Sequence, residues 1–178
     1  MSKLSQLLPS FHLVLILSKS SHIQELSLDD CQQRLLDATI DHKLMDKYPI
    51  VSLQESDNLV IDGTTGLRSW SAARHLAAFI ECNKHYVHNK YVLELGSGIG
   101  LTGVCILKTC SPDVLAFSDH HSVVLRVLRN NIDTNNVGLN SVVHNIDWND
   151  MKSVDNYLGD NDPDVIIAAD VVFDPKVT

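Results

Sequence analysis

Three glycines in five residues, Gly96-Ser97-Gly98-Ile99-Gly100, mark a place where the backbone could come close to a ligand. Gly96 permits a tight turn that a side chain would obstruct, and Gly98 lets the peptide approach the ligand. A helix opening after such a loop offers unpaired N–H groups to polar ligand atoms. Asp119 stands 23 residues beyond Gly96. A carboxylate at that spacing can accept both hydroxyls of a ribose. Asp147 and Trp148 are adjacent. The acid can accept from the exocyclic amine of an adenine while the ring packs on its face. Asp170 ends the apolar run 165–169. Each feature has a plainer reading: a tight strand-to-helix turn with no ligand, a helix N-cap for Asp119, core packing for Trp148. Their joint occurrence at strand ends is more specific than any one of them.

The loop also discriminates between adenosine cofactors. A nicotinamide fingerprint needs Gly or Ala where this chain has Leu101. A pyrophosphate would welcome positive charge, yet the residue leading into the loop is Glu94. Glu94 better suits a cofactor carrying an ammonium and a sulfonium. S-Adenosylmethionine carries both.

The elements around these residues follow from periodicity. Residues 91–95 form a short buried strand, and 101–108 an apolar helix ended by Pro112. Residues 114–118 form a second strand. Helix 122–132 follows, with Val124, Leu125, Leu128 and Ile132 as its buried stripe. Residues 142–146 form a third strand, 149–162 suit a short helix, and 165–169 form a fourth, fully apolar strand. Strands that alternate with helices and are apolar on both faces predict a parallel sheet with helices on both sides. The strand carrying the glycine loop is then central.

Upstream, residues 1–26 read as irregular or weakly helical. Ser27 to Asp30 resemble an N-cap with an acidic first turn, and Leu35, Leu36, Ile40 and Leu44 continue at helical spacing. Pro49 ends that helix. Short extended pieces are expected at 50–53 and 59–61, a turn at Gly63-Thr64-Thr65-Gly66, and a helix over 70–81 with Trp70, Ala73, Ala77 and Ile80 on one face. The apolar run 11–17 is too short to span a bilayer and has no small-residue cleavage site after it.

Composition sets the outer limits. The 178 residues are 44% hydrophobic and 20% charged, enough for a real core. Net charge is −8, which disfavours a broad basic face for nucleic acid. The four cysteines form no C-x-x-C pair and the histidines are scattered, so neither a disulfide framework nor a metal site is expected. Free thiols suit a reducing compartment, so the expected location is cytoplasmic.

Several stretches resemble a known family. Glu94–Gly103, E-L-G-S-G-I-G-L-T-G, looks like motif I of the seven-β-strand methyltransferases. Gly63–Ala73 (G-T-T-G-L-R-S-W-S-A-A), Phe117–Ser122 (F-S-D-H-H-S), Ile146–Trp148 (I-D-W) and Asp164–Phe173 (D-V-I-I-A-A-D-V-V-F) narrow the resemblance. They are similar to the eukaryotic protein-lysine methyltransferases of that class, above all those acting on elongation factor 2. The resemblance runs over residues 63–175. It implies a Rossmann-like class I S-adenosylmethionine-dependent methyltransferase fold, contacted by the cofactor at Trp70, Gly96, Ser97, Gly98, Asp119, Trp148 and Ala169. It also implies that Asp170 to Phe173 is a D-x-x-Y/F motif near methyl donor and acceptor, with Asp170 and Phe173 as catalytic residues. This chain has Phe173 where the closest members show Tyr, which removes a hydroxyl but keeps an aromatic wall for a lysine.

The resulting expectation has two parts. Residues 63–178 form the methyltransferase domain, and 1–62 an N-terminal, partly helical extension. Glu94 and Asp147 join the cofactor contacts on chemical grounds. The implied activity is methylation of a lysine on a protein substrate, elongation factor 2, with room for a larger complex and no nucleic acid or membrane partner. Another protein or a small-molecule acceptor is the alternative, as is a non-catalytic fragment that at most binds the cofactor. The family sheet has seven strands in the order 3-2-1-4-5-7-6, and only the first four are visible in this sequence. A truncated domain is therefore expected, with its fourth strand an exposed apolar edge prone to aggregation.

Overall fold

The computed structural model describes residues 14–18, 49–56, 60 and 63–171. The expected helix over 27–45, Cys31 and Phe173 lie outside the described residues, as do residues 59 and 61 of one expected extended piece.

One five-stranded sheet organises the chain. Its strands are β1 (Val14–Ser18), β2 (Tyr91–Leu95), β3 (Val114–Asp119), β4 (Ser141–Asn145) and β5 (Val165–Ala169), in the spatial order β1-β5-β2-β3-β4. Strands β5, β2, β3 and β4 run parallel, which is the order the resemblance implies for the first four strands of the family sheet. β2, which leads into the glycine loop, is central.

Among the described residues, four α-helices cover the sheet: α1 (Ser71–Cys82), α2 (Leu101–Thr109), α3 (Ser122–Thr134) and α4 (Met151–Asp160). Strand alternation divides the core in two. Val92, Leu115, Phe117, Val165 and Ile167 point to one face, where they meet Leu76 and Ile80 of α1, Val104 and Ile106 of α2, and Leu125, Leu128 and Ile132 of α3. Leu93 and Ala116 point to the other, where Tyr157 of α4 and Ile146 cover them. α4 begins at Asp150, whose carboxylate accepts the Lys152 N–H at 3.0 Å and so caps an otherwise unpaired donor.

Three sequence expectations need correction. Residues 14–18 are a strand, not irregular or helical: β1 pairs antiparallel with β5, Val14 opposite Ala169 and Ser18 opposite Val165. β5 is therefore not an exposed edge. Its outer row of N–H and C=O groups is paired by a five-residue segment rich in β-formers, which answers the demand of every backbone polar group for a partner. Residues 50–53, expected as an extended piece, have no strand partner and lie along the end of α3. The face of α1 is also rotated from the expected one. Its buried residues are Ala72, Leu76, Ala77 and Ile80, because the helix starts at Ser71, leaving Trp70 before its first turn and Ala73 toward a cleft.

Candidate functional site

The carboxyl ends of β2, β3 and β5 and the turn after β4 open into one cleft of about 480 Å³, within the usual range for small-molecule sites, roughly 300–1,000 Å³. Its floor is the glycine loop. Gly96 (φ +60°) and Gly98 (φ +53°) both hold left-handed backbone, which side-chain-bearing residues adopt only with strain. Space forbids a side chain as well. A Cβ on Gly96 would lie 3.0 Å from the Trp148 ring and 2.9 Å from Val171, and one on Gly98 would lie 3.0 Å from the Gly66 carbonyl oxygen. The residues form a cradle that a methyl group would begin to fill.

Most of the predicted site residues meet here. Trp70, Gly96, Ser97, Gly98, Asp119, Asp147, Trp148, Ala169 and Asp170 all line the cleft. Asp119 is not a helix cap: the cap position of α3 is His121, with no side-chain cap bond. Its Oδ2 accepts the Gly98 N–H at 3.3 Å and its Oδ1 accepts the His121 N–H at 3.0 Å. A carboxylate has about four acceptor positions, so two remain for a ligand. Asp147 Oδ1 accepts the Asn149 N–H at 2.9 Å, folding the segment after β4 back toward the cleft. The Trp148 Nε1 is buried and makes no hydrogen bond among the described residues.

Ser97 lines the cleft with a committed hydroxyl. It donates to the Glu94 carbonyl at 3.1 Å and accepts the Ser118 N–H at 3.0 Å. Together with the Ser118 hydroxyl on the same carbonyl, at 2.8 Å, it stitches the ends of β2 and β3 together. The Ser97 backbone is engaged as well, its N–H donating to the Ser118 carbonyl at 2.8 Å and its carbonyl accepting the Gly100 N–H at 2.9 Å, so the residue shapes the loop.

Glu94 does not line the cleft. On β2 it shares a face with Val92, so alternation sends its side chain beneath α2, where Gly103 leaves room for it. It is 3% exposed, and burial pushes its carboxyl up to about 7, against a weaker downward pull from Thr102, Ser97 and the Gly103 N–H. Its Oε2 makes no hydrogen bond of ordinary geometry among the described residues.

Asp170 has φ +58°, a conformation that aspartate tolerates better than most residues. The chain turns sharply as it leaves β5, and the carboxyl-bearing residue sits on the wall of the cleft.

The opposite wall is the loop before α1, contributing Thr64, Thr65, Arg68 and Ser69. Trp70 is fixed against it, its Nε1 donating to the Thr65 carbonyl at 3.2 Å. Sequence reasoning singled out Trp70 in this stretch and missed Arg68, as it missed His120 and Asn149 elsewhere on the rim. The signal for the latter two was available, since each lies one residue beyond a predicted site residue at a strand end.

Known proteins are similar to this chain in sequence. Residues 53–178 fit the family model described as lysine methyltransferase. The human protein-lysine N-methyltransferase EEF2KMT is 42% identical over 137 residues, covering 71% of this chain and 41% of that protein. The mouse protein of the same name is 39% identical over 134 residues, 69% of this chain and 39% of that protein. Protein-lysine N-methyltransferase EFM3 of Chaetomium thermophilum is 33% identical over 135 residues, 72% of this chain and 40% of that protein. The chain thus spans about two-fifths of the length of these curated relatives. With the glycine cradle, the acids at the strand ends and a family match over residues 53–178, this chain belongs to the lysine methyltransferase family.

Proposed function

We propose that the cleft binds S-adenosylmethionine and that the protein methylates a lysine side chain of elongation factor 2. The observation that carries the first part is the convergence, on one cleft, of the Gly96–Gly98 cradle with Asp119, Asp147 and Trp148. The names of the relatives support the second part.

S-Adenosylmethionine, when bound, supplies a methyl on a sulfonium, already activated for transfer to a neutral amine. The chain's own residues account for the rest. Trp148 offers an aromatic face to an adenine, and Asp147 an acceptor for its amine. Asp119 offers its two remaining acceptor positions to ribose hydroxyls. The backbone at Gly96–Gly98 permits close approach. A lysine amine must lose its proton before it accepts a methyl. Desolvation in the cleft lowers its pKa, whereas the Asp170 carboxylate favours the cation. Asp170 therefore serves to hold and orient the amine rather than to remove its proton. Phe173, outside the described residues, is assigned to the lysine stem only by the motif it shares with the family. We take residues 63–178 as the methyltransferase unit, 1–62 as its N-terminal extension, and the protein as cytoplasmic. The free thiols of Cys82, Cys105 and Cys110 support that location.

Calorimetric titration and thermal melting with S-adenosylmethionine test the first part. A native-state ligand at a hundred times its Kd stabilises by roughly 2.7 kcal/mol, so a clear rise in Tm is expected. No rise and no binding heat at millimolar cofactor would refute it. Incubation with elongation factor 2 and radiolabelled cofactor tests the second. Label on a different protein of the same cell extract, and none on elongation factor 2, would replace the substrate.

A further inference from the structure

Asn131 and Asn135 stand one helical turn apart at the end of α3, with only 1% and 6% of their surface exposed. A buried primary amide has several hydrogen-bonding positions to satisfy, and asparagine is a poor helix former. Both side chains are fully engaged with a segment far away in the chain. Asn131 Oδ1 accepts the Gln54 N–H at 2.7 Å, and its Nδ2 donates to the Gln54 carbonyl at 3.1 Å. Asn135 repeats the pattern on Ser52: Oδ1 accepts its N–H at 3.0 Å and Nδ2 donates to its carbonyl at 2.6 Å. The two amides thus pair the N–H and C=O of alternate residues, as the peptide groups of a neighbouring strand would. Residues 49–56 form a strap laid along α3, and Lys108 Nζ donates to the Ile50 carbonyl at 2.8 Å at its near end.

The strap's far end reaches the cleft. The Ser56 N–H donates to the Leu67 carbonyl at 2.8 Å. Glu55 Oε2 accepts the Ser69 N–H at 3.1 Å and the Ser69 hydroxyl at 2.7 Å. Ser69 belongs to the cleft wall formed by the loop before α1. Asn131 differs from Asn135 in one respect. Its Nδ2 also donates, at 2.9 Å, to the carbonyl of Ile99, inside the glycine loop. Asn135 directs the same atom to the Asn131 carbonyl, at 2.8 Å, within its own helix. One buried amide therefore holds the floor of the cleft with one hand and the strap that anchors its wall with the other. Floor and wall meet tightly at Gly98, where a Cβ would lie 3.0 Å from the Gly66 oxygen.

We propose that Asn131 is a positioning residue for the cofactor cleft: it registers the glycine loop against the wall formed by residues 63–69, and so sets cofactor affinity without lining the cleft. The proposal rests on reading the cleft as the S-adenosylmethionine site, and its test has an arm that does not. Asn131→Ala removes all three bonds. Asn131→Asp keeps the volume and the bond from Gln54 N–H, removes both donations, and serves where the alanine variant does not fold. Asn135→Ala is the comparison, since it releases the strap from α3 at Ser52 but leaves Gln54 and Ile99 held by Asn131.

Amide hydrogen exchange on the full chain is read at residues 52–54 and 96–100, and S-adenosylmethionine affinity by calorimetry. The Asn131 variants are expected to exchange faster in both segments and to bind the cofactor about tenfold more weakly. Asn135→Ala is expected to exchange faster at 52–54 alone, with affinity within about threefold of the parent. Unchanged exchange at 96–100 in a folded Asn131 variant overturns the proposal. So does an Asn135→Ala protein whose glycine loop loosens as much. A parent chain that binds no cofactor overturns the reading of the cleft instead, and the exchange arm still decides the role of Asn131.

Discussion

The N–H of Gly98 donates to Asp119 Oδ2 across 3.3 Å, so the glycine loop after β2 and the acid that ends β3 are one unit. The carboxylate holds the loop in its left-handed conformation while presenting its other acceptor positions to the cleft. The floor and the acid proposed to meet the ribose are thus set by the same contact.

Asp119→Ala should therefore lose more than one ligand contact. Loss of a charge-assisted hydrogen bond and of two ribose acceptors predicts a fall in cofactor affinity of about a hundredfold, with a smaller effect on Tm. Asp119→Asn keeps an acceptor and should fall between. Calorimetry ranks the three proteins, and an alanine variant that binds like the parent would remove Asp119 from the site.

Trp70 and Trp148 are the chain's two tryptophans, and both line the cleft. Intrinsic fluorescence is consequently a direct reporter of occupancy. Cofactor addition should change the emission saturably, and Trp148→Phe should remove most of the change because its ring lies against Gly96. A fluorescence change that survives Trp148→Phe in full would shift the adenine face to Trp70.

Asp170→Asn is the clean probe of the orienting role proposed for this carboxylate, because asparagine tolerates the φ of +58° at that position whereas alanine adds backbone strain. Methyl transfer should fall at least a hundredfold while cofactor affinity changes by less than about threefold. Equal losses in turnover and in binding would make Asp170 a cofactor residue.

Glu94 is expected to make stability fall as pH rises through the range in which its buried carboxyl ionises. Burial raises its folded-state pKa to about 7 from 4.5. The native state thus holds the proton more tightly than the unfolded chain does. Its contribution is fully favourable below the unfolded value, declines as pH rises, and is lost once pH passes the folded value. The decline between about pH 4.5 and 7 is worth roughly 3 kcal/mol. Glu94→Gln should flatten that part of the Tm profile and leave the variant more stable than the parent above pH 7. Parallel profiles for the two proteins would show that the carboxyl is solvated.

Much of this architecture was legible in the order of residues. The strands β2, β3 and β5 and the helices α2, α3 and α4 follow from local periodicity, because each buries a face that its own spacing defines. The glycine loop and the acids at strand ends were legible for a related reason: a parallel sheet places consecutive strand ends on one edge, so that motifs distant in the chain converge without further information. Asn131 was passed over because it interrupts an apolar stripe. It lies three residues after Leu128 and one before Ile132, on the face predicted to be buried. A polar residue at a core position was the available clue.

The partners of those residues were not legible. That Asn131 meets Gln54, 77 positions away, depends on how an irregular strap lies on a helix. That β1 pairs with β5 antiparallel depends on which edge of the sheet is free to receive it. Glu94 was read as a cofactor contact from its neighbours in the chain, but strand alternation turns it away from the cleft and beneath α2. Local spacing specifies elements and the edge on which chemistry gathers. Which side chains face the ligand, and which hold the floor and wall that enclose it, is settled by packing between segments remote in the chain, where no local pattern carries the information.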